Sequence, residues 1–273
     1  MKKTFTLGYS LLVCLFAVGA GSPALAADRG ADGKFSKRTS SHFVLFQDVD
    51  IDETGGLRGS RRFEDDVLGA LEVAYRNLDD LLGMRPRSAL TVSVWDPGVF
   101  DKQFSGLFRY PTAGFYGESI HVRGATRVDP RLIRVLNHEL VHASFHAEAP
   151  SVLLPAWFNE GVAEWFEARA TGSGGIAPGQ LAYLQRLARG GALIPLVDLS
   201  APSFAALNAQ SASVAYLQSR AFIDFLASRY GERRIREMVR DVLRSGDIER
   251  SFRRRFRAGV SDLERRWREN LGG

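Results

Sequence analysis

Three of the chain's five histidines lie in one short segment, N-H-E-L-V-H-A-S-F-H, with four residues from each to the next. Residues four apart lie on one side of an α-helix, about 6 Å apart along its axis, so two imidazoles can converge on one ion. His138 and His142 fit the spacing H-E-x-x-H, in which Glu139 lies beside the metal and can accept a proton from water. This spacing predicts a zinc site with two histidine ligands and Glu139 as general base.

The third histidine, His146, does not fit the same site. It lies two helical turns from His138, about 12 Å along a straight helix, and two metal–ligand bonds cannot close that distance. A glycine three residues after His142 could turn the chain back, but that position is Phe145. We therefore expect His146 to lie at the end of the helix without binding the metal.

A second segment, P-A-W-F-N-E-G-V-A-E-W-F-E at 155–167, places two glutamates one helical turn apart within an apolar surface. Carboxylates are seldom buried without a partner, so Glu160 and Glu164 need a cation or a hydrogen-bond donor if they are buried. On their own they could equally face solvent. Beside an H-E-x-x-H segment, we favour a metal ligand.

The chain resembles the gluzincins, the thermolysin-like zinc peptidases, in two motifs taken together. The first is H-E-L-V-H, and the second is N-E-G-V-A-E, which begins 17 residues after His142. The segment P-A-W-F-N-E-G-V-A-E-W is similar to bacterial peptidase-MA-like domains, and weaker likeness in later helices extends the resemblance over about residues 41–270. The resemblance implies that His138, His142 and Glu160 bind one Zn²⁺ and that Glu139 is the base. It also implies that Glu164, where thermolysin has Asp, orients a ligand histidine. A fourth position stays open for water, as in catalytic zinc sites.

Peptide hydrolysis also requires a donor to the oxyanion, and related enzymes use a tyrosine or a histidine. Tyr216 is our first candidate and Tyr183 the second; the alternative for each is a core tyrosine.

The segment 113–117 lies where the family has an edge strand above the metal helix, and an extended substrate could pair with it. We expect His121, on the next strand, to be structural.

The periodicity of apolar residues predicts an α+β, zincin-like fold in one domain at 41–270. Strands at 42–47, 89–95 and 119–123 and an amphipathic helix at 62–82 predict a small mixed sheet packed on helices. From residue 129 onward the chain is mostly helical, with predicted helices at 129–147, 155–170, 178–189, 212–230, 232–245 and 261–270. We interpret the arginine-rich stretch 250–257 as a solvated helix surface; the alternative is a docking patch for anionic envelope components.

The N-terminal 26 residues have the features of a secretory signal peptide. Lys2 and Lys3 precede an apolar run that is short for a membrane span, and Ala24-Leu25-Ala26 provides small residues for cleavage. The alternative is an N-terminal membrane anchor. Cleavage would remove Cys14, the only cysteine, and residues 27–40 would form a flexible leader. The predicted location is periplasmic or secreted, with only transient membrane contact through the signal peptide.

The predicted export restricts the possible functions. An exported protein meets no ATP or nicotinamide pool. The formal net charge is +5 and falls to +3 without Lys2 and Lys3, which is too small to indicate a nucleic-acid partner. We therefore expect an exported zinc metallopeptidase that acts on a peptide or protein substrate. The alternatives are a zinc hydrolase acting on a cell-wall amide and a non-catalytic, zinc-binding envelope scaffold. The sequence indicates neither the cleavage specificity nor the oligomeric state.

Overall fold

The computed structural model describes residues 10–12, 35–51 and 59–272. The described strands form one mixed sheet with the order β1-β5-β6-β4-β3-β2. Strands β3, β4 and β6 are parallel, and the other pairings are antiparallel. The strands are β1 (Ser10–Leu12), β2 (Ser36–Thr39), β3 (Phe43–Asp48), β4 (Leu90–Trp95), β5 (Gly114–Tyr116) and β6 (Ile120–Arg123).

The helices of the described chain lie mainly after the sheet, which agrees with the predicted α+β class. They are α1 (Gly59–Leu82), α2 (Pro97–Gln103), α3 (Pro130–Glu148), α4 (Ala156–Ala170), α5 (Pro178–Arg189), α6 (Ala209–Tyr230), α7 (Glu232–Ser245), α8 (Ile248–Phe256) and α9 (Val260–Gly272). None of these helices is both long enough and apolar enough to cross a membrane.

The sheet provides a platform for the helix that carries the H-E-x-x-H segment. Residues alternate between the two faces of a strand, and Leu45, Val92 and Val94 are fully buried on the same face. Helix α1 packs on β3 and against α3, while α3 also packs on β5 and β6. One continuous apolar core therefore holds α3 against the sheet edge that ends in β5.

Two parts of the fold differ from the sequence-based expectation. Residues 36–39, in the predicted flexible leader, form β2, because their backbone pairs with β3 and Ser36 donates to the carbonyl of Gln47 at 3.2 Å. Helix α2 was not expected: Asp96-Pro97 ends β4 but also begins a helix, since the Asp96 carboxylate accepts from the amide of Gly98 at 2.8 Å.

The predicted signal peptide lies largely outside the described residues, including its cleavage site. The exception is β1, which extends the sheet beyond β5. Its backbone runs antiparallel to β5, with Leu12 opposite Gly114 and Ser10 opposite Tyr116. Strand β1 also lies close to α3 and α4. It therefore occupies the edge at which the sequence analysis places an extended substrate.

Candidate metal centre

Helix α3 presents the two histidines of the H-E-x-x-H segment to the interior. Asp129 caps the helix by accepting from the amide of Leu132 at 2.8 Å, and Pro130 is its first residue. His138 and His142 lie one turn apart, and neither is more than 2% exposed. Both imidazoles therefore lie on the face of α3 that packs on α4.

Helix α4 brings Glu160 to both imidazoles. Its Oε2 lies 3.2 Å from His138 Nε2 and 3.3 Å from His142 Nε2. Bonds of about 2.0–2.1 Å at tetrahedral angles place two ligand atoms about 3.3 Å apart. The three side chains thus have the spacing of a tetrahedral zinc site, and their ligand atoms lie within 4.8 Å of one another.

A glycine positions Glu160 by permitting a close helix crossing. A Cβ built on Gly161 would lie 2.7 Å from the carbonyl oxygen of Ser219 in α6, closer than real Cβ atoms approach such an atom. Helices α4 and α6 can therefore meet closely only because residue 161 has no side chain. The same crossing brings α6, which carries Tyr216, towards Glu160.

Glu139 lies beside the two histidines and is fully buried. Neither of its carboxylate oxygens has a hydrogen-bond partner among the described residues. Strand β5 passes close to it, since a Cβ on Gly114 would lie 3.3 Å from Glu139 Cγ. Burial raises the pKa of Glu139 well above its ordinary value; His138 opposes this shift, and the negative charges of Glu160 and Glu167 add to it.

The electrostatics of the ligand set fit a bound cation. Burial alone would lower the pKa of His138, but the nearby carboxylates of Glu160 and Glu167 raise it to about 10. Burial likewise opposes ionisation of Glu160, yet the two histidines hold its pKa below the ordinary value. A carboxylate, two imidazoles and the unpartnered oxygens of Glu139 therefore share one buried volume. The His138 imidazolium balances the Glu160 carboxylate; a divalent cation would replace its proton, and the donor set is one that zinc accepts.

The other ring nitrogens of the two histidines point to polar side chains on α4. Asn159 Oδ1 lies 3.0 Å from His142 Nδ1. His138 Nδ1 lies 3.6 Å from Glu167 Oε2 and 3.9 Å from Glu164 Oε1. Sequence reasoning gave no role to Asn159 or Glu167. The available signal was their spacing from Glu160 on the same helix. Asn159 directly precedes Glu160, and Glu167 lies seven residues, about two helical turns, after it.

Glu164 is less enclosed than Glu167, with side-chain exposures of 14% and 4%. Burial and the neighbouring charge of Glu167 raise the pKa of Glu164 to about 7. The structure therefore brings the predicted orienting acid close to His138, but a second acid lies closer.

The two tyrosine candidates differ in position. Tyr216 is buried, and its pKa is raised well above the ordinary value by burial and by the nearby Glu160 and Tyr110. The hydroxyl of Tyr110 is also buried and lies near that of Tyr216. Tyr183 is half-buried on α5, where the Arg186 guanidinium lies 5.6 Å from its ring centre. Tyr216 is thus the candidate that the fold brings to the ligand set, together with Tyr110.

The remaining histidine candidates lie outside the ligand set. His146 is exposed in the last turn of α3, with its ring 5.6 Å from that of Tyr116. His121 accepts from the indole N–H of Trp95 at 3.0 Å, and burial lowers its pKa to about 4. The proton of this neutral ring is therefore on Nε2, which donates to Ser119 at 3.0 Å. A histidine that donates to a serine cannot activate it, so this pair is structural.

Comparison with known proteins identifies one distant similarity. No protein-family model matches the chain. It is 25% identical over 194 residues to "Uncharacterized protein YhcO" of Bacillus subtilis (strain 168). The match covers 62% of this chain and 53% of that protein, so the chain spans about half the length of this relative.

Proposed function

We propose that the chain is a zinc metallopeptidase of the gluzincin type. The observation that carries the proposal is the convergence of His138, His142 and Glu160, with the unpartnered Glu139 carboxylate beside them. These three residues would hold the ion, leaving an open coordination position. When bound, zinc would polarise a carbonyl group and lower the pKa of a water molecule.

The residues of the chain then have distinct tasks. Glu139 accepts a proton from the attacking water and returns it to the leaving amine, which is why its carboxylate must stay free of other partners. Tyr216, which is buried near Glu160, would donate a hydrogen bond to the oxyanion. Exclusion of water from the buried site strengthens both interactions.

The sheet edge supports an extended polypeptide as the substrate. The backbone of β5 already pairs with an antiparallel strand, β1, and the pair Leu12–Gly114 lies next to Glu139. Removal of the proposed signal peptide would free this edge for another extended chain. The proposed location is therefore periplasmic or secreted, as expected for an exported peptidase.

Substitution of Glu139 by Gln tests the proposal. We expect about one zinc per chain in both the wild-type protein and Glu139→Gln, because the metal ligands are unchanged. Peptide cleavage should fall by about 100- to 10,000-fold, the usual contribution of a general base. Metal content is measured by elemental analysis, and cleavage is measured on an unbiased peptide library. The control, Glu118→Gln, alters an exposed residue next to β5 and should change neither quantity.

Three other outcomes would contradict the proposal in different ways. A wild-type protein without zinc would refute the metal centre. A zinc protein that cleaves no peptide would favour the envelope scaffold. Release of amines from cell-wall fragments, without peptide cleavage, would favour the cell-wall hydrolase.

A further inference from the structure

Two carboxylates approach the same nitrogen of His138, on the side of the ring opposite the ligand set. Glu167 Oε2 lies 3.6 Å from His138 Nδ1, and Glu164 Oε1 lies 3.9 Å from it. A neutral imidazole has one N–H and one lone-pair nitrogen, so Nδ1 must carry the proton when Nε2 binds a metal. The acid that accepts this proton fixes both the tautomer and the orientation of the ring.

Glu167 is held in place by a second residue of α3. Arg134 Nε donates to Glu167 Oε1 at 2.6 Å, which leaves Oε2 facing His138. His138 Nδ1 and Glu167 Oε2 are both buried, and neither has a hydrogen-bond partner at normal distance within the described chain. The two unpartnered atoms therefore face one another across a gap that a small side-chain adjustment closes.

Glu164 lacks such an anchor. Within the described ranges, its ion-pair contact is the longer one to His138, and its side chain is 14% exposed. An acid that is partly hydrated and held at one point loses more conformational freedom when it binds a ring nitrogen. Glu167 is already fixed by Arg134, so it incurs less of this cost.

We propose that Glu167, anchored by Arg134, is the residue that positions His138 for metal binding, in place of Glu164. The inference rests on the proposed metal centre. It implies that one helix, α4, holds His138 at both ring nitrogens: Glu160 faces Nε2, and Glu167 faces Nδ1. Arg134 and His138 lie one turn apart on α3, so the arrangement also fixes the register of α3 against α4.

Zinc affinity distinguishes the two acids. Glu167→Gln should weaken zinc binding by about 10- to 100-fold, the usual loss when the partner of a ligand histidine is removed. The matched variant Glu164→Gln should produce a clearly smaller loss. Affinity is measured in the purified protein by competition with a chromophoric chelator. An equal or larger loss in Glu164→Gln would overturn the proposal.

A second measurement reports on the ring itself. In the wild-type protein, the Nδ1–H proton of His138 should give a downfield NMR resonance, because a carboxylate accepts from it. The resonance should move upfield in Glu167→Gln and stay in place in Glu164→Gln. A residue that only stabilised the fold would lower the melting temperature without moving this signal, so an unmoved signal in Glu167→Gln would refute the proposal.

A third variant covers the case in which Glu167→Gln does not fold. Arg134→Gln keeps the carboxylate but removes its anchor, so the Nδ1–H resonance should broaden or shift and zinc affinity should fall. An unchanged resonance and affinity would contradict the proposed role of Arg134. None of these measurements uses peptide cleavage. A protein that binds zinc but cleaves nothing would refute the peptidase and leave this inference standing.

Discussion

At the scale of the residue, the side chains of the site differ in how many contacts hold them, and His142 and Glu139 are the two extremes. His142 contacts Glu160 through Nε2 and Asn159 through Nδ1, so its ring is fixed on both sides. Glu139 has no hydrogen-bond partner for either oxygen among the described residues. Leaving a buried carboxylate in this state costs free energy. A carboxylate without other partners is what the proposed role of Glu139 as general base requires.

Removal of Glu160 tests the ligand set through stability. Zinc that binds only the native state should raise the free energy of unfolding, by about 4 kcal/mol at a thousandfold excess over its dissociation constant. We expect added zinc to raise the melting temperature of the wild-type protein and a chelator to reverse the rise. Glu160→Ala should lose this response, whereas Glu148→Ala, at the exposed end of α3, should keep it. A full zinc response in Glu160→Ala would exclude Glu160 as a ligand.

At the scale of the element, the site depends on close approaches between α3, α4, α6 and β5. Two glycines permit these approaches, because a side chain at Gly161 would meet the backbone of Ser219 and one at Gly114 would meet Val135. The N-E-G segment therefore has two tasks: Glu160 faces the histidines, and the following glycine lets α6 pack behind them.

Gly161→Ala should destabilise the protein by about 1–3 kcal/mol, because the new methyl group requires the α4–α6 crossing to open. The matched control is Gly69→Ala, at an exposed position of α1 where a Cβ meets nothing within 4 Å. There we expect a gain of about 0.5–1 kcal/mol from improved helix propensity. Denaturant unfolding curves of the two variants provide the measurement. Equal effects would indicate that the crossing tolerates a side chain.

At the scale of the whole molecule, ion pairs connect two of the C-terminal helices, α7 and α8, to one another. Asp241 of α7 accepts from Arg255 of α8 at 2.5 Å and from Arg244 at 2.8 Å. Phe252 and Phe256, which alternate with the arginines of the stretch 250–257, are buried. The arginine-rich stretch is therefore one side of an amphipathic helix, and Arg255 contacts the protein's own acids. This arrangement agrees with the interpretation as a helix surface.

The pH dependence of stability follows from Asp241. Hydrogen bonds from Arg255 hold its pKa below the ordinary value of 3.8. A lowered folded-state pKa stabilises the protein above the unfolded pKa, and this contribution is lost as the pH falls through the folded value. Asp241→Asn should therefore cost about 1–3 kcal/mol at neutral pH and progressively less below about pH 4.

The control for this pH series is Asp66→Asn, which removes an exposed pair with Arg62 and should change stability by less than about 1 kcal/mol at any pH. Urea unfolding of both variants across the acid range is the measurement. A cost for Asp241→Asn that does not change with pH would show that the carboxylate acts through packing alone.

The α+β class, the bounds of the long helices and the pairing of His138 with His142 follow from the sequence, since each depends on local periodicity. A ligand on the next helix was also expected, because two glutamates lie on its apolar surface, and the resemblance to the gluzincins selected Glu160. Short elements were harder to predict. Residues 36–39 have little intrinsic preference for a strand and form one because β3 offers a free edge.

Only the tertiary structure decided which side chains of α4 face the Nδ1 atoms of His138 and His142. Asn159, Glu164 and Glu167 lie on one helix with similar chemistry, and no local rule ranks them. The packing of α4 on α3 and the ion pair from Arg134 bring Glu167 closer than Glu164 to His138 Nδ1. The sequence by itself therefore determined the candidate ligands. The tertiary structure determined how they are held, because contacts between helices depend on packing across distances that periodicity does not encode.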